Sequence, residues 1–196
     1  MFNRVFRLIF LWLLPLGLFG CASAPPAPQS VTRPAQAEHA PFVMSGRIAV
    51  KHDGERSSAT VRWRHSAEAD EILLFAPLGQ TVARIHREGQ RVMLDTPDKH
   101  YVAQDAEELT QQVLGWPLPL SDLQYWILAL PAPAGTFDIE RDGNGQISML
   151  RQDGWAVSYT RYATPAPDSL PLSLVLQREG LEIKLLIDEW EMPSLP

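Results

Sequence analysis

From Phe42 to Ile187 apolar residues recur at every second position in one segment after another, with turn residues between the segments. That alternation puts one face of a segment in a core and the other in water, the signature of antiparallel strands. Phe42, Met44, Ile48 and Val50 alternate with Ser45, Arg47 and Lys51 and stop at Asp53-Gly54. Ala59, Val61 and Trp63 alternate with Thr60, Arg62 and Arg64. Glu71 to Ala76 is apolar on both faces (Ile72, Leu73, Leu74, Phe75), so it must be covered on both sides or line a cavity. Thr81 to Glu88 and Arg91 to Asp95 form a hairpin around Gly89-Gln90, and Thr136 to Arg141 pairs with Gln146 to Arg151 around Asp142-Gly143-Asn144-Gly145. Gly154 to Tyr162 is aromatic. Leu172, Leu174 and Leu176 then alternate, Glu179-Gly180 turns, and Leu181, Ile183, Leu185 and Ile187 alternate against charged neighbours.

A different period interrupts this series. Asp105, followed three residues later by Glu108, is a helix-start signature; Leu109 and Val113 share a face, and Gly115 ends the helix. Ser121 and Gln124 suggest a second capping box, with Leu123, Trp126, Ile127 and Leu130 in one stripe before Pro131 and Pro133. The pattern predicts a mainly β fold of about ten antiparallel strands with two inserted helices, and a sheet of that width curls. The helices each carry one apolar stripe, so they should cover its concave face.

The N-terminus reads separately. Arg4 and Arg7 precede an apolar run from Ile9 to Phe19, shorter than the roughly 20 residues of a spanning helix, as in a secretory signal. Leu18-Phe19-Gly20-Cys21 resembles a bacterial lipobox, which implies cleavage before Cys21 and acylation of its thiol and amine; the alternative is an ordinary signal cut near Ala22-Ser23-Ala24. Residues 21–41 are rich in Ala, Pro, Gln and Ser and read as a disordered tether, leaving a folded domain over 42–196. Loss of Arg4 and Arg7 with the signal moves the formal charge from −6 to −8. An acidic chain without a basic cluster argues against nucleic acid as a partner. Cys21 is the only cysteine, so there is no disulfide and no thiolate chemistry in the domain.

Catalytic constellations do not emerge. The five histidines (His39, His52, His65, His86, His100) have no ligand spacing and read as surface residues. There is no nucleophile elbow; Ser57-Ser58 has no evident base; Asp188, Glu189 and Glu191 read as a solvated strand end; and Asp142-Gly143-Asn144-Gly145 lacks the spaced carboxylates of a calcium loop. No metal, cofactor or enzymatic activity is expected. The surplus is apolar: Trp63, Trp116, Trp126, Trp155 and Trp190 are many for one domain, and Ala76-Pro77-Leu78-Gly79 puts a Leu at the tip of a tight turn. An isolated exposed Leu is ordinary. On a membrane-tethered chain it equally suits a bilayer or client contact.

Gly115-Trp116-Pro117-Leu118-Pro119-Leu120, continuing through Leu123, Trp126-Ile127 and Pro131-Ala132-Pro133, resembles the LolB family of outer-membrane lipoproteins. Ser45-Gly46-Arg47-Ile48-Ala49-Val50, Pro77-Leu78-Gly79, Gln152-Asp153-Gly154-Trp155 and Leu170-Pro171 support it in the same order; Ala129 departs from the family's frequent Gly. The resemblance implies an unclosed β-barrel with an α-helical lid over an apolar cavity. It implies a monomer at the inner leaflet of the outer membrane, facing the periplasm, that takes the acyl chains of client lipoproteins from a LolA-like carrier and inserts the clients there. Leu78 matches the family's membrane-insertion loop, and Cys21 its lipidation site.

Candidate lid residues are Leu109, Val113, Leu123, Trp126, Ile127 and Leu130. Candidate cavity residues on the strands are Met44, Ile48, Val61, Trp63, Leu74 and Trp155. Exposing an anchor of about 40 methylenes to water would cost about 30 kcal/mol at ~0.8 per CH2, so transfer requires contact between apolar cavities. The rival expectation is a structural or assembly lipoprotein whose curved sheet binds protein partners and whose core is filled. A hydrolase is a weaker third reading.

Overall fold

Each alternating segment forms a strand, and their order explains the architecture. A computed structural model describes residues 32–33 and 40–192. The signal, Cys21, His39 and most of the 21–41 tether lie outside the described residues. The strands are β1 (Phe42–His52), β2 (Glu55–His65), β3 (Ala69–Phe75), β4 (Thr81–Glu88), β5 (Arg91–Asp95) and β6 (His100–Ala103). Helices α1 (Ala106–Leu114) and α2 (Leu120–Trp126) follow, then β7 (Phe137–Arg141), β8 (Ile147–Gln152), β9 (Trp155–Tyr162), β10 (Pro171–Arg178) and β11 (Leu181–Glu191). All belong to one sheet of 11 strands in the order β6-β5-β4-β3-β2-β1-β11-β10-β9-β8-β7. Two meanders therefore meet where β1 pairs antiparallel with β11. The sheet does not close: β6 and β7 are its edges, and the helical segment connects one edge to the other.

The sheet has eleven strands rather than about ten, because His100–Ala103 forms the short edge strand β6 beside β5. Its four residues carry no clean alternation. Inward residues of β1, β2 and β11 (Met44, Ile48, Val61, Trp63, Ile183, Leu185) are buried, while Arg47, Lys51, Arg62 and Lys184 stand outside. In β3, Ile72 and Leu74 are buried inside and Leu73 and Phe75 are half-buried on the outer face. Gly46 sits at a register shift between β1 and β11, where a Cβ would lie 2.1 Å from the Leu186 carbonyl oxygen; only Gly admits that approach.

Asp105 caps α1, accepting from Glu108 N at 2.7 Å, and Gly115 closes it at φ 84°. The expected Ser121 cap does not form. Pro119 takes the cap position without a side-chain bond, and Ser121 lies inside α2. The cause is the Pro117–Pro119 connector, which is already held by Thr110: its hydroxyl donates to Ala106 O (2.7 Å) and accepts from Leu118 N (2.8 Å). α2 is also shorter than its apolar stripe, since Ile127 caps it and Ala129 turns the chain at φ 54°. Relief of that left-handed backbone by Gly, about 1–2 kcal/mol, is offset by a lost buried methyl, about 0.8, and added unfolded-state entropy, about 0.4–1. Ala there is near neutral. Within the expected tether, Thr32 forms an isolated bridge to Ser169 and Arg33 N donates to Asp168 O at 2.8 Å, so these two residues touch the domain.

Candidate functional site

Between sheet and helices lies a small void lined by apolar side chains. Met44, Ile48, Val61, Trp63 and Leu74 line it from β1–β3, with Leu176, Ile183 and Leu185 from the other half-sheet. Leu123 of α2 closes it from above, together with Trp116 and Leu118 of the connector. Its free volume is about 30 Å³. Pockets that swallow a ligand run to about 300–1,000 Å³, so this void as it stands is too small to hold one.

The other lid candidates are placed differently. Leu109 is buried under α1, which packs on β5 and β6; Val113 and Leu130 are partly buried against the core. Trp126 and Ile127 are fully buried, and Trp126 packs on Trp155 with ring centroids 6.1 Å apart, away from the void. Sequence reasoning missed Trp116, Leu118, Ile72, Ile85, Leu176, Ile183 and Leu185 as lining. The strand members carried the alternation signal; the connector pair had only the Gly-Trp-Pro-Leu-Pro motif.

The two ends of the lid are held unequally. Trp126 Nε1 and Ala132 N both donate to Gln152 Oε1 (3.0 and 2.8 Å), and Gln152 Nε2 donates to Ala132 O and Ala134 O (2.9 and 2.6 Å). Tyr159 Oη donates to Trp126 O at 2.7 Å; burial pushes its hydroxyl well above the ordinary value, so it stays a donor. These bonds lie in a dry interior and fix the end of α2. α1 has one ionic tie to the sheet, Arg178 Nη2 to Glu107 at 3.0 Å, partly exposed, with the guanidinium 4.4 Å over the Trp155 ring. Its remaining attachment is apolar packing.

At the rim near Phe42 a polar cluster stiffens the sheet. Asp70 accepts from Trp63 Nε1 (2.8 Å), pairs with His65 Nδ1 (2.7 Å) and receives Arg87 Nε. Burial opposes the Asp70 charge, yet the His65 and Trp63 hydrogen bonds and the Arg87 charge outweigh it and hold the carboxyl below its ordinary value. His65 is thus buried, stacked on Phe42 at 4.8 Å, and corrects the expectation of a surface histidine. Asp188 and Glu191 do face solvent, paired with Arg47 and Arg62. Among the described residues no group of three or more His, Cys, Asp or Glu could hold a metal ion.

Leu78 is 91% exposed, the most exposed large apolar residue described. Its turn is tight: Gly79 N donates to Ala76 O and Ala76 N to Gln80 O, both at 2.8 Å, with Gly79 at φ 81°. Pro77 fixes the first corner, so the Leu78 side chain is presented with little backbone freedom.

The family profile described as outer membrane lipoprotein LolB matches residues 40–190. The outer-membrane lipoprotein LolB of Chromobacterium violaceum is 39% identical over 189 residues, covering 94% of this chain and 99% of its own length. That of Nitrosomonas europaea is 40% identical over 166 residues, covering 83% and 78%. Among solved structures, a LolA superfamily protein from Nitrosomonas europaea is 10% identical with a TM-score of 0.49, covering 81% of this chain and 88% of that one. The chain belongs to the LolB family.

Proposed function

We propose that this protein receives the acyl chains of client lipoproteins beneath its helical lid and releases the clients into the outer membrane. As a LolB-family protein it is a lipid-anchored carrier of the outer membrane facing the periplasm, serves lipoprotein transport and performs no catalysis. The carrying observation is an apolar-lined void closed by a segment pinned at the end of α2 and tied loosely at α1. Opening therefore swings α1 and the connector away, with Gln152 and Tyr159 as the fixed end. Trp116, Leu118 and Leu123 move out as an acyl chain takes their place. A LolA-like periplasmic carrier would dock at this opening, and transfer runs downhill from its cavity to this one and then to the bilayer. Leu78 enters the bilayer, and acylated Cys21 tethers the chain to it.

The nearly filled interior also suits the rival reading, a protein-binding scaffold with a solid core. An apolar fluorescent probe separates the two. It should bind the protein and be displaced by an acylated lipoprotein but not by the same lipoprotein without its acyl chains. Absence of probe binding, or displacement by both forms, would overturn the acyl-carrier reading.

A further inference from the structure

Resting on the reading that the Leu78 turn enters the bilayer, we propose that the outer sheet face beside that turn binds the phosphate-bearing headgroups of anionic lipids. A groove of about 370 Å³ lies there, on the side of the sheet opposite the acyl site. Arg47, Lys184, Ser58, Thr60, Leu186 and Pro77 line it, and Pro77 is the neighbour of Leu78. Register explains the groove. Ala49 stands between Ser58 of β2 and Lys184 of β11, while Arg47 stands between Thr60 and Leu186. The small side chains of Ala49 and Ser58 leave a depression, with an ammonium and a guanidinium at its borders and two hydroxyls inside. No carboxylate lines it. Arg47 is shared with Asp188 at 3.0 Å, but Lys184 has no ion-pair partner among the described residues. One row further along, Lys51 and Arg56 face each other across β1 and β2. Glu182, opposite Lys51, accepts from Gln177 Nε2 at 2.9 Å.

Charge decides the occupant. The chain is net acidic at −6, so cations gathered beside Leu78, the most exposed large apolar residue described, act against the overall charge. Screening cuts the rest of the molecule off beyond about 8 Å at physiological salt, leaving this face to set the local attraction. Leu78 alone supplies only a roughly 10–150-fold preference for an apolar phase. Headgroup contacts beside it would raise residence and orient the domain with the turn downward. Ammonium and guanidinium groups with nearby hydroxyls are the donor set that phosphate oxygens accept from.

The test uses the mature chain from residue 21, made without the apolar signal and carrying Cys21→Ala so that no acyl anchor is added, with vesicles of phosphatidylcholine alone or equimolar with phosphatidylglycerol. Binding to the anionic vesicles should be at least tenfold tighter, and about 0.5 M salt should erase the difference. Lys184→Glu and Lys51→Glu, each a reversal of charge, should each weaken anionic binding at least about fivefold and leave neutral binding unchanged. Leu78→Glu should weaken both. Equal binding to the two vesicle types, or wild-type anionic binding by Lys184→Glu, overturns the headgroup site; if Leu78→Glu still weakens binding, the insertion reading survives that failure. If Leu78→Glu binds like wild type while the lysine variants fail, the insertion reading falls instead. Slower vesicle-free client uptake in Lys184→Glu with unchanged vesicle binding would assign the groove to a protein partner and overturn the proposal.

Discussion

Gln152→Leu tests the fixed end of the lid. Gln152 is buried and its amide makes four hydrogen bonds, one to Trp126 at the end of α2 and three to the segment that follows. Leucine fills similar space and leaves Trp126 Nε1, Ala132 N and Ala132 O without partners; Trp126 and Ala132 are buried, while Ala134 is exposed and its carbonyl can turn to water. Three unsatisfied buried groups would cost about 3–9 kcal/mol if the lid stayed shut. Burying Leu in place of Gln returns about 2 kcal/mol. The segment can also peel away and hydrate, so the loss is capped by the free energy of opening. We expect urea unfolding to show about 2–5 kcal/mol less stability. We also expect tighter apolar-probe binding, about tenfold for each 1.4 kcal/mol by which the shut state is weakened. A stability loss below about 1 kcal/mol with unchanged probe affinity would refute the assignment of Gln152 as the fixed point.

Leu78→Glu should leave client binding intact and reduce delivery to membranes, with stability changed by less than about 0.5 kcal/mol because the side chain is in water; normal delivery removes Leu78 from the mechanism. Gly46→Ala should lose stability at the upper end of about 1–3 kcal/mol, since the obstructing Leu186 oxygen is backbone; a wild-type melting curve would contradict the close approach. Asp70→Asn should cost about 3 kcal/mol at pH 7 by leaving the Arg87 and His65 partners without their carboxylate. A carboxyl held low in the fold adds stability above its unfolded value, near 4, and loses it as pH falls through the lower folded one. The gap between Asp70→Asn and wild type should therefore narrow in acid below pH ~4; a gap constant with pH would deny Asp70 its charge.

Local pattern carried most of the strands, because period two, hairpin turns and the Asp105 and Gly115 caps are written in adjacent residues. What it could not carry lies across the sheet. His65 meets Asp70 only after the chain folds back through β3, and Arg87 joins from β4. The same holds for Gln152, an unremarkable polar residue at a strand end until Ala132 and Trp126 arrive beside it. In the lid, the stripe Leu123-Trp126-Ile127-Leu130 is one face of an ideal helix, but the helix ends at Trp126, and Trp126 points to Trp155 rather than the void. The connector residues Trp116 and Leu118 lie in no periodic element, so spacing could not aim them inward.

The seam between β1 and β11 carries a consequence for biogenesis. As the chain is made from its N-terminus, β1 acquires its second neighbour only when β11 is available, so the earlier strands wait as a sheet with an extra naked edge. Pairings that distant in sequence are slow to form and expose strands to aggregation meanwhile. A chain truncated before Leu181 would keep every local hairpin up to β10 and still be unable to join its two halves.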